Sequence, residues 1–201
     1  MMKKIFFFVL FIVGTITASA QTINWNVNAG IGVSNLYGKN TDGADAKFAY
    51  RVGVGMELPF NSMWSLQTGL NFTSKGCKAR GYLEDDYESK NVTINALYLE
   101  LPIQAGLRLP TANNFDVLLK AGPYLGYGIG GKAKAGGYKE DTFGDNGFKK
   151  FDAGLGFGVG FEFSKFIVGI NTQLGLINVA DGGDIIKPKN ISAFLTFGYK
   201  F

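Results

Sequence analysis

The stretch that decides the fold is INWNVNAGIGV, residues Ile23 to Val33, in which two kinds of side chain alternate. Every odd position is apolar, and every even position is Asn or Gly. Successive residues of a β-strand point to opposite faces, so this stretch predicts a strand with one apolar face and one polar face.

The same two-residue period recurs in seven later segments, each with an apolar stripe that carries no charge. The opposite face holds all the strand charges, which are Arg51, Glu57, Glu100, Arg108, Asp116, Lys120, Asp152, Glu162 and Lys200. The sequence therefore predicts an all-β fold of eight strands, at 23–33, 48–60, 64–73, 97–108, 115–127, 151–163, 166–176 and 191–201.

The two-residue period alone does not say which face of the barrel is outside. The lengths of the connections between the segments distinguish the two possible kinds of barrel. A soluble lipocalin-like barrel buries its apolar face, whereas a membrane barrel turns it toward lipid. Short connections at 61–62, 110–114 and 164–165 alternate with long ones at 38–46, 75–91, 130–149 and 179–189. This alternation is typical of outer-membrane barrels and predicts an eight-stranded antiparallel up-and-down transmembrane β-barrel.

Aromatic residues of the apolar stripes gather at the strand ends, as expected for girdles at the two membrane interfaces. The expected girdle at the short connections contains Trp25, Phe60, Trp64, Phe115, Phe163, Phe166, Tyr199 and Phe201. The expected girdle at the long connections contains Phe48, Tyr50, Phe72, Tyr127 and Phe151.

Residues 1–20 have the order of a secretory signal peptide. Lys3 and Lys4 precede an apolar run from Ile5 to Val13, and the segment ends Ala-Ser-Ala at Ala20. Nine apolar residues in a helix span about 14 Å, which is too short for a hydrocarbon core of about 30 Å. We therefore expect a signal peptide at 1–20 and a barrel domain at 21–201.

Composition excludes several kinds of site. The 201 residues include no His and one Cys, so Ser-His-Asp and Cys-His catalysis, His-ligated metals and a disulfide framework are excluded. The net charge of +4 is too small to indicate a nucleic-acid partner. We predict no enzyme activity, and we assign no catalytic, cofactor-binding or metal-binding residue.

Three motifs resemble those of a known family. They are Tyr98-Leu-Glu-Leu-Pro102, Gly122-Pro-Tyr124 and the ending Phe197-Gly-Tyr-Lys-Phe201. With the strand pattern, they resemble the small outer-membrane β-barrels of Gram-negative bacteria, of the OmpX/OmpA-like and PorT-like porin-family type. The resemblance implies an outer-membrane location and implies that the barrel-insertion machinery reads the C-terminal strand.

A barrel of eight strands is just wide enough for side chains to fill it, so we expect a plugged lumen. A symmetric turn at 110–114 predicts that Arg108 faces Asp116, Gln104 faces Lys120 and Glu100 faces Tyr124. The same register places Pro102 opposite Gly122, beside Pro123. Because proline cannot donate to the ladder, we expect a bulge or a weak seam there.

The long connections hold the remaining chemistry. Glu84, Asp85, Asp86 and Glu88 suit a divalent cation, but their spacing is not that of a calcium loop, and a solvated loop explains them as well. Lys132, Lys134 and Lys139 suit lipid phosphates or an anionic partner, or are simply solvated. Cys77 is expected to be a loop thiol.

The functional hypothesis is a monomeric outer-membrane barrel that acts structurally or binds through its extracellular loops. Its expected partners are outer-membrane lipid, lipopolysaccharide, the insertion machinery and a protein bound by the loops. The alternatives are a barrel subunit of a protein-secretion machine, as a PorT-like resemblance implies, and a small passive channel.

Overall fold

The computed structural model describes residues 23–39, 41, 43–82, 89–111, 115–135, 138–143, 147–180 and 187–201. The predicted signal peptide and the acidic run at 84–88 lie outside these ranges. The strands are β1 (Asn24–Lys39), β2 (Ala44–Asp45), β3 (Lys47–Pro59), β4 (Trp64–Tyr82), β5 (Ser89–Thr111), β6 (Phe115–Ala135), β7 (Tyr138–Asp141), β8 (Phe151–Phe163), β9 (Phe166–Gly175) and β10 (Lys187–Lys200). Within the described ranges, no helix has the length and apolar character needed to cross a membrane.

Eight of these strands close into an antiparallel up-and-down barrel, which confirms the predicted fold. The order around the barrel is β1, β3, β4, β5, β6, β8, β9 and β10, and β10 pairs with β1 to close it. The short strands β2 and β7 add to β4 and β6 outside this circle. We call the end with the short connections the turn end and the opposite end the loop end.

The polarity of the wall is that of a membrane barrel. Ile31, Leu195 and Ile170 are register partners on three adjacent strands, and each is 57–59% exposed on the outside. Glu100 and Asp152, by contrast, are completely buried inside. The 13 residues of β8 reach about 30 Å along a barrel axis when the strand is tilted by about 40°, enough to cross the hydrocarbon core. The soluble-barrel alternative is therefore wrong.

Aromatic rings of β6 and β8, and those of β9 and β10, contact each other at the turn end. The ring centroids of Phe115 and Phe163 are 4.9 Å apart, and those of Phe166 and Tyr199 are 5.4 Å apart. Tyr199 also contacts Phe201, with centroids 5.8 Å apart. At the loop end, Tyr50 and Phe72 contact at 6.3 Å on neighbouring strands. The predicted grouping of aromatics at the two rims is present.

Strands β4, β5 and β6 are longer than predicted, which corrects the loops expected at 75–91 and 130–149. β4 runs to Tyr82, β5 starts at Ser89 and β6 runs to Ala135, where β7 pairs with it. The sequence criterion was an uncharged apolar stripe, and that stripe is required only where the strand faces lipid. Residues 78–82, 89–93, 132–135 and 138–141 continue the pairing beyond the lipid-facing wall, and we call them the projecting sheet.

The register predicted between β5 and β6 is wrong by two residues. Arg108 lies opposite Leu118 rather than Asp116, Gly106 lies opposite Lys120 rather than Gln104, and Glu100 lies opposite Gly126 rather than Tyr124. Thr111 pairs with Phe115, so the pairing is centred one residue later in the chain than in a symmetric turn at 110–114. A two-residue shift keeps every side chain on its own face, so the alternation of residues could not reveal it.

The expected weak seam is present, although Pro102 lies opposite Tyr124 rather than Gly122. Residues 103 and 104 have no register partner on β6, and residues 101 and 102 have none on β4. The Thr68 hydroxyl donates to the Pro102 carbonyl at 2.7 Å, which partly compensates for the interruption. A register shift lies farther along, between Leu97 and Tyr98.

Candidate functional site

The loop end of the lumen contains three fully buried charges. The Lys75 ammonium nitrogen lies 2.6 Å from Glu100 Oε1 and 3.0 Å from Asp152 Oδ2, and all three side chains are 0% exposed. They come from β4, β5 and β8, so their meeting depends on closure of the barrel. We call these three residues the loop-end cluster.

Neutral donors add to the bonding of the two carboxylates, although Asp152 Oδ1 has no hydrogen-bond partner among the described residues. Lys75 also lies over the Tyr124 ring, 4.2 Å from its centroid. Arg51 adds a second cation at 3.7 Å from Glu100. The neutral donors are Thr73 and Gln173 to Glu100, at 2.8 and 3.0 Å, and Tyr124 and Asn190 to Asp152, at 3.2 and 3.0 Å. Burying charges is costly unless they are paired and hydrogen-bonded, and these contacts offset much of that cost.

An apolar cap closes the loop end above this cluster. Leu36, Cys77 and Val179 are buried together, and Phe148 packs against them. The Lys149 amide donates to the Val179 carbonyl at 2.7 Å, which ties two connecting segments together across the opening. Cys77 is therefore a buried strand residue of β4, and its expected place in a loop is wrong.

The turn end holds a second group of charges around Arg108. Its guanidinium lies 2.7 Å from Glu57 Oε1 and 3.1 Å from Asp116 Oδ2, and it also binds Glu162. Lys200 pairs with Glu162 at 3.0 Å. We call these five residues the turn-end cluster. The predicted pairing of Arg108 with Asp116 is present despite the wrong register.

Sequence reasoning missed Lys75, although the signal for it was available. Inward residues of β4 occupy the odd positions from Ser65 to Thr73, and Lys75 is the next position in that phase. The apolar stripe on the opposite face stops at Phe72, and the predicted strand therefore ends before Lys75. Its partners, Glu100 and Asp152, were correctly predicted to face the lumen.

Glycines of β8 make room for the larger lumen side chains. A Cβ at Gly156 would lie 2.5 Å from the Gln104 side-chain nitrogen. At Gly158 it would lie 2.6 Å from Asn171 Oδ1 and 3.1 Å from Lys120 Cε. The alternating glycines are thus needed for packing across a narrow barrel.

The described lumen side chains carry charges of both signs, most of which are paired in two clusters. No group of three or more Cys, Asp or Glu side chains suited to a metal occurs among the described residues. The exposed lysines noted above lie on the projecting sheet, where Lys132 pairs with Asp141 at 2.6 Å and Lys134 lies opposite Lys139. The structure thus separates the charges inside the lumen from those on the outer surface.

Comparisons with known proteins agree with this architecture. Residues 19–181 match the family described as outer membrane protein beta-barrel domain. No significant match was found among curated proteins.

Solved structures give a likeness in fold. Neisserial surface protein A is 13% identical with a TM-score of 0.53, over 88% of this chain and 97% of that one. Ail, the attachment invasion locus protein of Yersinia pestis, in complex with the heparin analogue sucrose octasulfate, is 15% identical with a TM-score of 0.39, over 89% and 99%. The N-terminal β-barrel domain of Pseudomonas aeruginosa OprF is 11% identical with a TM-score of 0.38, over 88% and 97%.

Proposed function

Because the chain belongs to the outer membrane protein beta-barrel domain family, we propose that it is a Gram-negative outer-membrane protein that acts structurally or by binding through its outer surface. The observation that carries this proposal is the obstructed lumen. The loop-end cluster and the apolar cap fill one end, and the turn-end cluster crosses the other. A passive channel would require displacement of completely buried ion pairs, which is costly. We therefore place the function outside the lumen.

Conductance tests the obstructed lumen directly. The refolded barrel is inserted into planar bilayers in potassium chloride, and a heat-dependent change of electrophoretic mobility verifies that it is folded. We expect no stable conductance steps, whereas an open porin in the same bilayers serves as the positive control. Reproducible steps whose number rises with the amount of folded barrel would contradict the proposal and favour the passive channel.

The projecting sheet is the surface we propose for partners. Lys134 and Lys139 are exposed register partners on β6 and β7. Like charges directly opposite each other in a sheet repel, and an anionic partner removes that repulsion. Lipopolysaccharide phosphates lie at this level outside an outer-membrane barrel, so we propose them as the ligand of these two lysines.

The C-terminal strand supports a second proposed partner, the barrel-insertion machinery. Phe197 and Phe201 are exposed outward on or beside β10, and Tyr199 lies between them in the same phase. This alternation of outward aromatics belongs to one of the three motifs on which the family resemblance rests. We further propose that the protein is a monomer and has no enzyme activity.

A further inference from the structure

The middle of the lumen contains a cavity of about 90 Å³ between the two charge clusters. Its polar lining includes the cations Arg51 and Lys120 and the amides of Asn28, Asn71 and Gln104. None of the described residues that line it is Asp or Glu. The cavity thus has cationic and neutral polar walls, although carboxylates are abundant above and below it.

Lys120 lacks the partner that other lumen cations have. It points inward from β6 over Gly158, and it forms no ion pair or hydrogen bond with another described residue. Lys75, Arg108 and Lys200 each have a carboxylate oxygen within 3.0 Å. Two carboxylates, Glu57 and Glu162, attract Lys120 electrostatically. Both are already bound to Arg108.

Two buried polar groups beside Lys120 also lack partners. Asn71 is 5% exposed, lines the cavity, and its side chain forms no hydrogen bond with another described residue. The Nε–H of Arg51, whose side chain is 8% exposed, is buried without an acceptor among those residues. Leaving such groups unsatisfied is costly. Water can accept the hydrogen bond of Arg51, which already lies 3.7 Å from Glu100, but water cannot neutralise the charge of Lys120.

We propose that this cavity is a binding site for one small inorganic anion of halide size. Lys120 and Arg51 supply the charge, and the Asn71 amide supplies a neutral donor. The volume corresponds to roughly three water molecules, so it admits a halide or a similar anion with water but no nucleotide or lipid. The anion would act as an internal counterion of the folded barrel.

Stability of the refolded full chain in chloride and in gluconate, at equal ionic strength, tests the site. Gluconate is too large for the cavity. A ligand that binds only the folded state at a hundred times its Kd raises the folding equilibrium constant about a hundredfold. We therefore expect the midpoint of the heat-dependent mobility change to rise with chloride and not with gluconate.

Two substitutions assign the effect to the cavity. Lys120→Met should abolish the chloride dependence and make the barrel more stable than wild type in gluconate, because the uncompensated charge is gone. Lys132→Met, the same change at an exposed lysine, should leave the chloride dependence unchanged. The proposal is wrong if the wild type shows no dependence, or if Lys120→Met retains it.

A second variant and a structural measurement test the anion site even if Lys120→Met does not fold. Asn71→Asp adds a carboxylate to the cavity at nearly constant volume, so it should replace the anion and remove the chloride dependence. Crystals grown in bromide should show an anomalous peak between Lys120 and Arg51. Bromide peaks at surface lysines alone would mean an adventitious ion only and would overturn the proposal.

Discussion

Each end of the lumen contains a cation bound by carboxylates, but the two clusters differ in their exposure to water. At the loop end, Lys75 lies between two carboxylates, and all three side chains are 0% exposed. At the turn end, Arg108 lies among three carboxylates, but its side chain is 19% exposed and that of Asp116 is 33% exposed. The apolar cap of Leu36, Cys77 and Val179 accounts for the first environment.

This difference in burial determines how much each cation stabilises the barrel. Removing one member of a fully buried set leaves an uncompensated charge that water cannot reach. At the turn end, water and Lys200 can replace part of what Arg108 provides, and salt weakens the interaction. Ion pairs of similar length should therefore differ in energetic importance.

Substitution of Lys75 should produce the largest effect. Lys75→Met leaves Glu100 and Asp152 buried without their shared cation, so we expect a loss of about 3–5 kcal/mol in the free energy of unfolding. Urea unfolding in lipid vesicles measures it. The matched control is Lys75→Met with Glu100→Gln and Asp152→Asn, which removes all three charges and should restore much of the stability. An equal loss in the triple variant would mean that packing, rather than charge, is responsible.

Substitution at the turn end should have a smaller effect. Arg108→Met removes charge-assisted hydrogen bonds to Glu57 and Glu162, and we expect a loss of about 2 kcal/mol because Lys200 remains bound to Glu162. Unlike the loss in Lys75→Met, this loss should shrink as salt is raised from 0.05 to 0.5 M, roughly a threefold change in Debye length. If Arg108→Met lowered the free energy of unfolding as much as Lys75→Met does, or by an amount independent of salt, the two clusters would not differ in energetic importance.

Surface charges beyond the loop end should matter least for stability. Replacing Lys134 and Lys139 by Ser should change the free energy of unfolding by no more than about 0.5 kcal/mol, since both are exposed. The same change should weaken binding to vesicles that contain lipopolysaccharide. Asp141→Asn, a nearby exposed change that removes a negative charge, is the control and should not weaken it. Unaltered vesicle binding by the double variant would argue against lipid phosphates as the ligand.

Much of the fold could be predicted because alternation reports which face each residue occupies. The period places Ile31 and Ile170 on one face and Glu100 and Asp152 on the other, the alternating connection lengths indicate which face is outside, and the structure agrees. The same criterion failed at Lys75 and Cys77, because it requires apolar outward residues, and the next positions in the outward phase, Ser74 and Gly76, are not apolar. Beyond the lipid-facing wall, hydrogen bonds between neighbouring strands extend β4 and β5 without an apolar stripe.

By itself, the sequence determined the all-β class, the eight strands, the face of each side chain and the two aromatic rims, because each depends on local alternation and on spacing along the chain. The tertiary structure alone decided that Lys75 meets Glu100 and Asp152, that β5 pairs with β6 two residues away from the symmetric register, and that Lys120 faces a cavity beside Arg51. Lys75 with Asp152, and Lys120 with Arg51, bring together strands that are not consecutive in the chain, whereas β5 and β6 are consecutive. A shift of two residues changes which charges meet without moving any side chain to the other face, so only the closed barrel determines the partners.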